Sequence, residues 1–159
     1  MFHDHFAGAQ LTVTDVRESI LNNLKKRFRR AGIENYDCFV GDVSSPDFLI
    51  QKEFDLVICD APCSGSGTWS RTPEQLVFFK KDKIEHYASL QKQIVLKASK
   101  AVKKNGCFLY ITCSVFEKEN EEVVSFIQNN LPLQLIAGKY LKGYEKKADT
   151  LFAALFSAL

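Results

Sequence analysis

No two cysteines in this chain are spaced as CxxC, and no histidine-rich segment accompanies them. Cys38, Cys59, Cys63, Cys107 and Cys113 are odd in number and irregular in spacing, which argues against a disulfide framework. The same spacing fits no structural zinc site, so no metal is expected. His3 and His5 are the nearest thing to a metal pair and, beside a terminus, read better as a polar end segment. No apolar run approaches the roughly 18 residues that cross a bilayer, and the start lacks the basic and apolar regions of a secretory leader. A strong charge of one sign is also missing. The net charge is +2, so any affinity for nucleic acid must come from local patches. Repeats, low-complexity segments and an interdomain linker are absent as well. What these absences leave is a reduced, cytoplasmic, globular chain of one domain, residues 1–159.

What is present is an alternation of short apolar runs with helical patterns. Leu11–Thr14 reads as a strand ending at Asp15, and residues 18–31 as a helix with Ile20, Leu21, Leu24 and Phe28 inward and Gly32 as its stop. Cys38–Val40 and Phe54–Cys59 read as further strands. The stretch from Ala61 to about Asp82 reads as a long functional loop. A helix over residues 84–103 follows, with a stripe of Tyr87, Leu90, Ile94, Val95, Ala98 and Val102, ended by Asn105-Gly106. Cys107–Ile111 is expected as a central strand, Lys118–Gln128 as a helix with Val123, Val124 and Ile127 inward, and Pro132–Ala137 and Leu151–Phe156 as the last strands. This order predicts an α/β fold with a mostly parallel sheet covered by helices.

Function concentrates where strands end. Ligands of open α/β sheets bind at the carboxyl ends of strands. Asp15, Asp42 and Asp60 each end one, and Asp60 leads into Ala61-Pro62-Cys63-Ser64-Gly65-Ser66-Gly67-Thr68. Asp15 is open to two readings, a ribose ligand or a cap for the following helix. Asp42 is likewise a ligand or a turn residue. Pro62 stiffens the loop, and Gly65 and Gly67 allow close approach of backbone to a ligand. Cys38, Cys59 and Cys107 lie inside strands and read as small core residues. Cys63 does not, and Cys113, in Thr112-Cys113-Ser114 at another strand end, becomes a candidate nucleophile when paired with it.

Asp60–Thr68 followed by Arg71-Thr72-Pro73-Glu74, and Thr112–Val124 with its Cys113, Glu117, Glu119, Asn120 and Glu121, resemble the Nop/Sun (Fmu-like) family of RNA cytosine-5 methyltransferases. The resemblance runs from about Leu11 to the end. It implies a Rossmann-like methyltransferase sheet with helices on both faces, and methyl transfer from S-adenosylmethionine to carbon 5 of a cytosine in rRNA or tRNA. It further implies that Cys113 is the nucleophile and that Cys63 helps release the product. Asp60 then holds the cytosine near the cofactor, Asp15 binds the ribose, Asp42 the adenine end, and Arg71 lies near the substrate. Glu117, Glu119, Asn120 and Glu121 read as helix-start residues rather than catalysts.

Arg71, Lys80 and Lys81 are candidates for RNA phosphates, and a target base must leave any stack to reach a thiol, which favours single-stranded or loop RNA. Trp69, Phe78 and Phe79 are open to two readings, base stacking or core packing. Lys25, Lys26, Arg27, Arg29 and Arg30 read as the solvated face of the first helix. The family's cofactor loop and first strand precede the acid matched by Asp15, and only fourteen residues do so here. The expectation is an N-terminally truncated catalytic domain, completed by a missing segment or a partner chain, that binds S-adenosylmethionine weakly by itself. The rival readings are a non-catalytic RNA-binding or assembly fragment, a DNA cytosine methyltransferase, which lacks a Thr-Cys-Ser counterpart, and a thiol redox protein, which the missing CxxC disfavours.

Overall fold

A computed structural model describes residues 8–159. His3 and His5 lie outside the described residues. The chain divides into two compact units, Met1–Phe48 and Leu49–Leu159.

In the first unit, β1 (Leu11–Asp15) and β2 (Tyr36–Val40) form a parallel pair, in register from Leu11 opposite Tyr36 to Asp15 opposite Val40. The helix α1 (Glu18–Arg30) connects them and buries Leu21, and Phe28 meets Tyr36 edge-on at 4.9 Å. It stops where expected. Gly32 takes a left-handed conformation (φ 68°), and the Ile33 amide reaches back to the Phe28 carbonyl at 3.0 Å. The cations Arg27, Arg29 and Arg30 crowd the last turn, where the helix dipole favours them.

The second unit holds β3 (Phe54–Asp60), α2 (Glu74–Phe78), α3 (Asp82–Ala98), β4 (Val102–Thr112), α4 (Glu121–Asn130), β5 (Leu133–Leu141) and β6 (Leu151–Ala158). Its four-stranded sheet has the order β3-β4-β6-β5. Only β3 and β4 are parallel; β6 runs antiparallel to both β4 and β5. The sheet is therefore mixed rather than mostly parallel. The reason is local: β5 returns through the short turn Tyr144–Lys146 directly into β6, which makes an antiparallel hairpin.

One face of the sheet carries the core. Cys59 stands opposite Tyr110, Phe108 opposite Phe156, and Tyr110 opposite Ala154, and all of these are buried. Tyr110 donates its hydroxyl to the Glu119 carbonyl at 2.6 Å, which ties this face to the turn that opens α4. Val123, Val124 and Ile127 point inward from α4, as their spacing predicts. The opposite face is more open within this unit, with Ile58 half exposed.

Two boundaries differ from the sequence expectation. The third helix ends at Ala98, and β4 starts at Val102, because Asn105-Gly106 is a bulge inside the strand rather than a helix stop. Asn105 sits at φ 61°, a conformation asparagine tolerates. A side chain on Gly106 would press on the Lys103 and Asp55 carbonyls. The buried positions of α3 are Ala88, Gln91, Val95 and Ala98, so Val95 and Ala98 of the predicted stripe are buried, while Ala88 and Gln91 take the places expected of larger residues. The long loop after β3 is also less irregular than expected, since it folds into a turn at Ser66–Thr68 and the short helix α2. Of the cysteines expected in the core, Cys59 is buried, whereas Cys38 and Cys107 are half-buried. Burial pushes the Cys59 thiol up to about 12, so it is inert. Among the described residues, no helix is long and apolar enough to cross a membrane, and no group of three or more metal-ligating side chains converges.

Candidate active site

Parallel pairing of β3 with β4 sets the site. Asp60 stands opposite Ile111 at the carboxyl end of the pair, and the Ala61 amide extends the ladder by donating to the Ile111 carbonyl at 2.9 Å. Both strands then turn off the sheet together, one into Cys63 and the other into Cys113. The two sulfurs lie 3.2 Å apart although their residues are 50 apart in sequence. Both side chains are half-buried thiols.

The pair shares its protons unequally. Cys113 is lowered from 9.0 to about 7, chiefly by the hydrogen bond from Cys63, against opposition from burial and from the charge of Asp60. Cys63 is raised by the same bond and by burial. Of the two, Cys113 is the one that ionises more readily, with Cys63 as the donor to its sulfur. A thiolate is the reactive form of cysteine, so the geometry activates one member at the expense of the other.

A buried polar cluster holds the two loops. The residue after each cysteine is a serine, and both serine hydroxyls donate to one oxygen of Glu119, Ser64 at 2.6 Å and Ser114 in a very short bond. The other oxygen accepts the Ser64 amide at 2.7 Å. Ser66 completes a triangle of hydroxyls, 3.3 Å from both, and accepts the Val115 amide at 2.9 Å. Asn120 takes the Thr112 hydroxyl at 2.5 Å and donates to the Ser114 carbonyl at 2.9 Å, so it brackets Cys113 from both sides. Gln91, fully buried on α3, donates to the Pro62 carbonyl at 2.9 Å.

The sequence reading treats Glu119 and Asn120 as helix-start residues and does not single out Gln91. Their signal was faint but present: a serine after each cysteine, and a glutamine in register with Ala88, Val95 and Ala98. Gly67 also does something other than expected. It lies against its own chain, donating to the Cys113 carbonyl at 2.9 Å and accepting the Thr150 amide at 3.0 Å, and a Cβ there would strike the Thr150 carbonyl. Gly65 supplies a left-handed turn (φ 72°). Trp69 and Phe79 pack with Phe116 in an aromatic cluster, and Phe78 is exposed.

Arg71 makes a two-pronged ion pair with Asp149, at 3.2 and 2.7 Å, which raises the pKa of its guanidinium above the ordinary value, with a small further contribution from the charge of Cys113. Lys80 and Lys81 are exposed just ahead of α3. Asp15 and Asp42 belong to the first unit. There they are neighbours at one sheet edge, since the Gly41 amide donates to the Asp15 carbonyl at 3.2 Å. Asp15 engages the Arg17 amide and guanidinium, which hold its carboxyl below the usual range, and leaves about a quarter of its side chain exposed. It therefore makes a turn with Arg17 rather than capping the first amides of α1. Asp42 accepts the Ser44 amide at 2.9 Å and hydroxyl at 2.6 Å.

Comparison with known proteins adds the decisive observation. The family described as 16S rRNA methyltransferase RsmB/F matches residues 5–150, nearly the whole chain. The chain belongs to the RsmB/F family. That family comprises S-adenosylmethionine-dependent RNA methyltransferases with a Rossmann-like fold. Ribosomal RNA small subunit methyltransferase B of Yersinia enterocolitica is 31% identical over 124 residues, covering 77% of this chain and 29% of the relative. This RsmB/F chain thus spans under a third of that protein's length. Among solved structures, a methyltransferase homolog protein from Pyrococcus horikoshii superposes with a TM-score of 0.79 at 24% identity, covering 95% of this chain and 54% of the other. NSun6 from the same organism, crystallised with the S-adenosylmethionine analogue SFG, gives 0.82 at 20% identity, covering 94% and 41%.

Proposed function

We propose that this chain carries the substrate-activating part of an RNA cytosine-5 methyltransferase site, with Cys113 as nucleophile and Cys63 as the residue that helps release the product. The observation that carries the reading is the pair of thiols at 3.2 Å on one strand edge, with Cys113 lowered to about 7. Carbon 5 of cytosine is a poor nucleophile. Attack of the Cys113 thiolate on carbon 6 forms a carbon–sulfur bond and makes the ring enamine-like, so that carbon 5 can take a methyl group. The carbon 5 proton then passes to a base, the carbon–sulfur bond breaks, and Cys113 leaves as thiolate. Cys63, within hydrogen-bond reach of the departing sulfur, assists by donating to it again. Asp60, at the strand end beside Cys113, holds the cytosine ring and offsets the charge that builds there.

The described residues fit the nucleoside end of S-adenosylmethionine. Asp15 ends β1 and Asp42 follows the end of β2, at the same end of a parallel pair, and Asp15 keeps part of its side chain open. Bound there, the group supplies an electrophilic methyl on a sulfonium. Arg71, Lys80 and Lys81 contact RNA phosphates in this reading, on single-stranded or loop RNA of ribosomal or transfer type. Free thiols at the reacting pair also require a reducing compartment, in keeping with a cytoplasmic protein.

Incubated with cofactor and cytosine RNA, Cys63→Ala accumulates a covalent protein–RNA adduct on a denaturing gel, and Cys113→Ala forms none. Free protein in both lanes would overturn the assignment and favour a non-catalytic RNA-binding fragment.

A further inference from the structure

The Glu119 carboxylate is fully buried in the second unit, and no arginine or lysine pairs with it among the described contacts. Burying a charge is expensive unless hydrogen bonds repay it. Its partners are the Ser64 amide, the Ser64 hydroxyl and the Ser114 hydroxyl. Each of these belongs to the residue directly after a cysteine. One carboxylate therefore grips both cysteine loops at once, at points separated by 50 residues of chain.

We propose that Glu119 is a positioning residue, which sets the spacing of Cys63 and Cys113 by binding Ser64 and Ser114 to a single carboxylate. It touches neither thiol in this role and acts through the two serines. The proposal rests on the reading of the two thiols given above, as far as its consequence for methyl transfer goes. Its geometric content stands apart from catalysis. Glutamine is the informative replacement. It keeps size and shape, but the oxygen that takes both serine hydroxyls becomes an amide nitrogen, which only donates, so Ser64 and Ser114 must both reverse from donor to acceptor and the short bonds to the carboxylate are lost. The grip on the two loops loosens, and the sulfurs separate.

The test uses the intact chain and two readouts that need no methyl transfer. Alkylation of Cys113 by iodoacetamide is followed by peptide mass spectrometry as a function of pH. Oxidation of the Cys63–Cys113 pair by diamide is timed; two thiols give up two electrons and two protons, a sulfur–sulfur bond forms, and diamide is reduced to the hydrazine. In the unaltered chain, alkylation has its midpoint near pH 7 and the disulfide forms rapidly. Glu119→Gln moves the midpoint up by about one unit, toward that of an ordinary thiol, and slows disulfide formation at least tenfold. Ser64→Ala and Ser114→Ala each give part of both effects, and together they reproduce Glu119→Gln, which keeps the test available if Glu119→Gln does not fold. In methyl-transfer assays, kcat falls and KM for RNA holds, because binding groups are untouched. Unchanged alkylation midpoint and disulfide rate in Glu119→Gln and in the double serine variant would overturn the proposal. A Cys63→Ala chain that forms no covalent adduct with cytosine RNA would instead count against the proposed function, and the thiol readouts would still decide the role of Glu119.

Discussion

At the scale of single residues, the chemistry lies in an unequal division of protons. Cys113 is lowered because Cys63 donates to its sulfur, and desolvation and Asp60 work against that bond. The sign follows directly. A lowered thiol is ionised above its own value, so reaction at Cys113 climbs tenfold per pH unit below about 7 and levels above it. Cys63→Ala removes the donor, and the alkylation midpoint of Cys113 rises. A midpoint that stays near 7 in that variant would locate the cause elsewhere. The residues that bear this chemistry could be read from sequence, because cysteines past strand ends stand out by type and position. Those that support it could not. Glu119, Asn120 and Gln91 matter through burial and, for Glu119 and Gln91, through partners 55 and 29 residues away, which the local pattern records only faintly.

At the scale of elements, the junction of β4 with α4 is the firmest part of the site. Asn120, fully buried, meets the Thr112 hydroxyl, the Ser114 carbonyl and the Tyr140 hydroxyl, and so joins strand end, helix start and β5. Asn120→Ala leaves the Thr112 hydroxyl and Ser114 carbonyl buried without these partners, and a loss of about 2–4 kcal/mol is expected in urea unfolding. A loss under about 0.5 kcal/mol would mean that water replaces the amide freely. Element types were legible from periodicity, as α1 and α4 illustrate. Element ends were not, wherever a weak residue did the work. Asn105-Gly106 looks like a helix stop and serves as a strand bulge, since only pairing with β3 decides between the two. The stripe of α3 was legible at Val95 and Ala98 but not at Ala88 and Gln91, which carry little apolar signal although they occupy the buried row.

At the scale of the whole molecule, the two units differ in what they bury. The second closes the fully buried Phe108, Tyr110 and Phe156 over a four-stranded sheet. The first rests on two strands and one helix around Leu21, and two-stranded pairs are marginal without further cover. Amide hydrogen exchange should therefore protect Phe108–Thr112 most, with Leu11–Asp15 exchanging faster by about a hundredfold or more. Equal protection in both segments would show that the first unit draws stability from outside its own contacts. The α/β class was visible from the order of elements, whereas the antiparallel end of the sheet was not, because strand direction depends on which neighbour a strand finds.

The register of β3 against β4 has a further meaning. Each residue along a strand advances about 3.3 Å, and a slip that keeps side chains on their own faces must move two residues. Such a slip would displace Cys63 past Cys113 by about 6–7 Å, twice the present gap between their sulfurs. The strand pair is thus a ruler with coarse graduations. Thiol spacing cannot drift by small steps along it, and an insertion within either strand would abolish the pair, whereas one between Thr72 and Lys81 would leave the ruler unmoved.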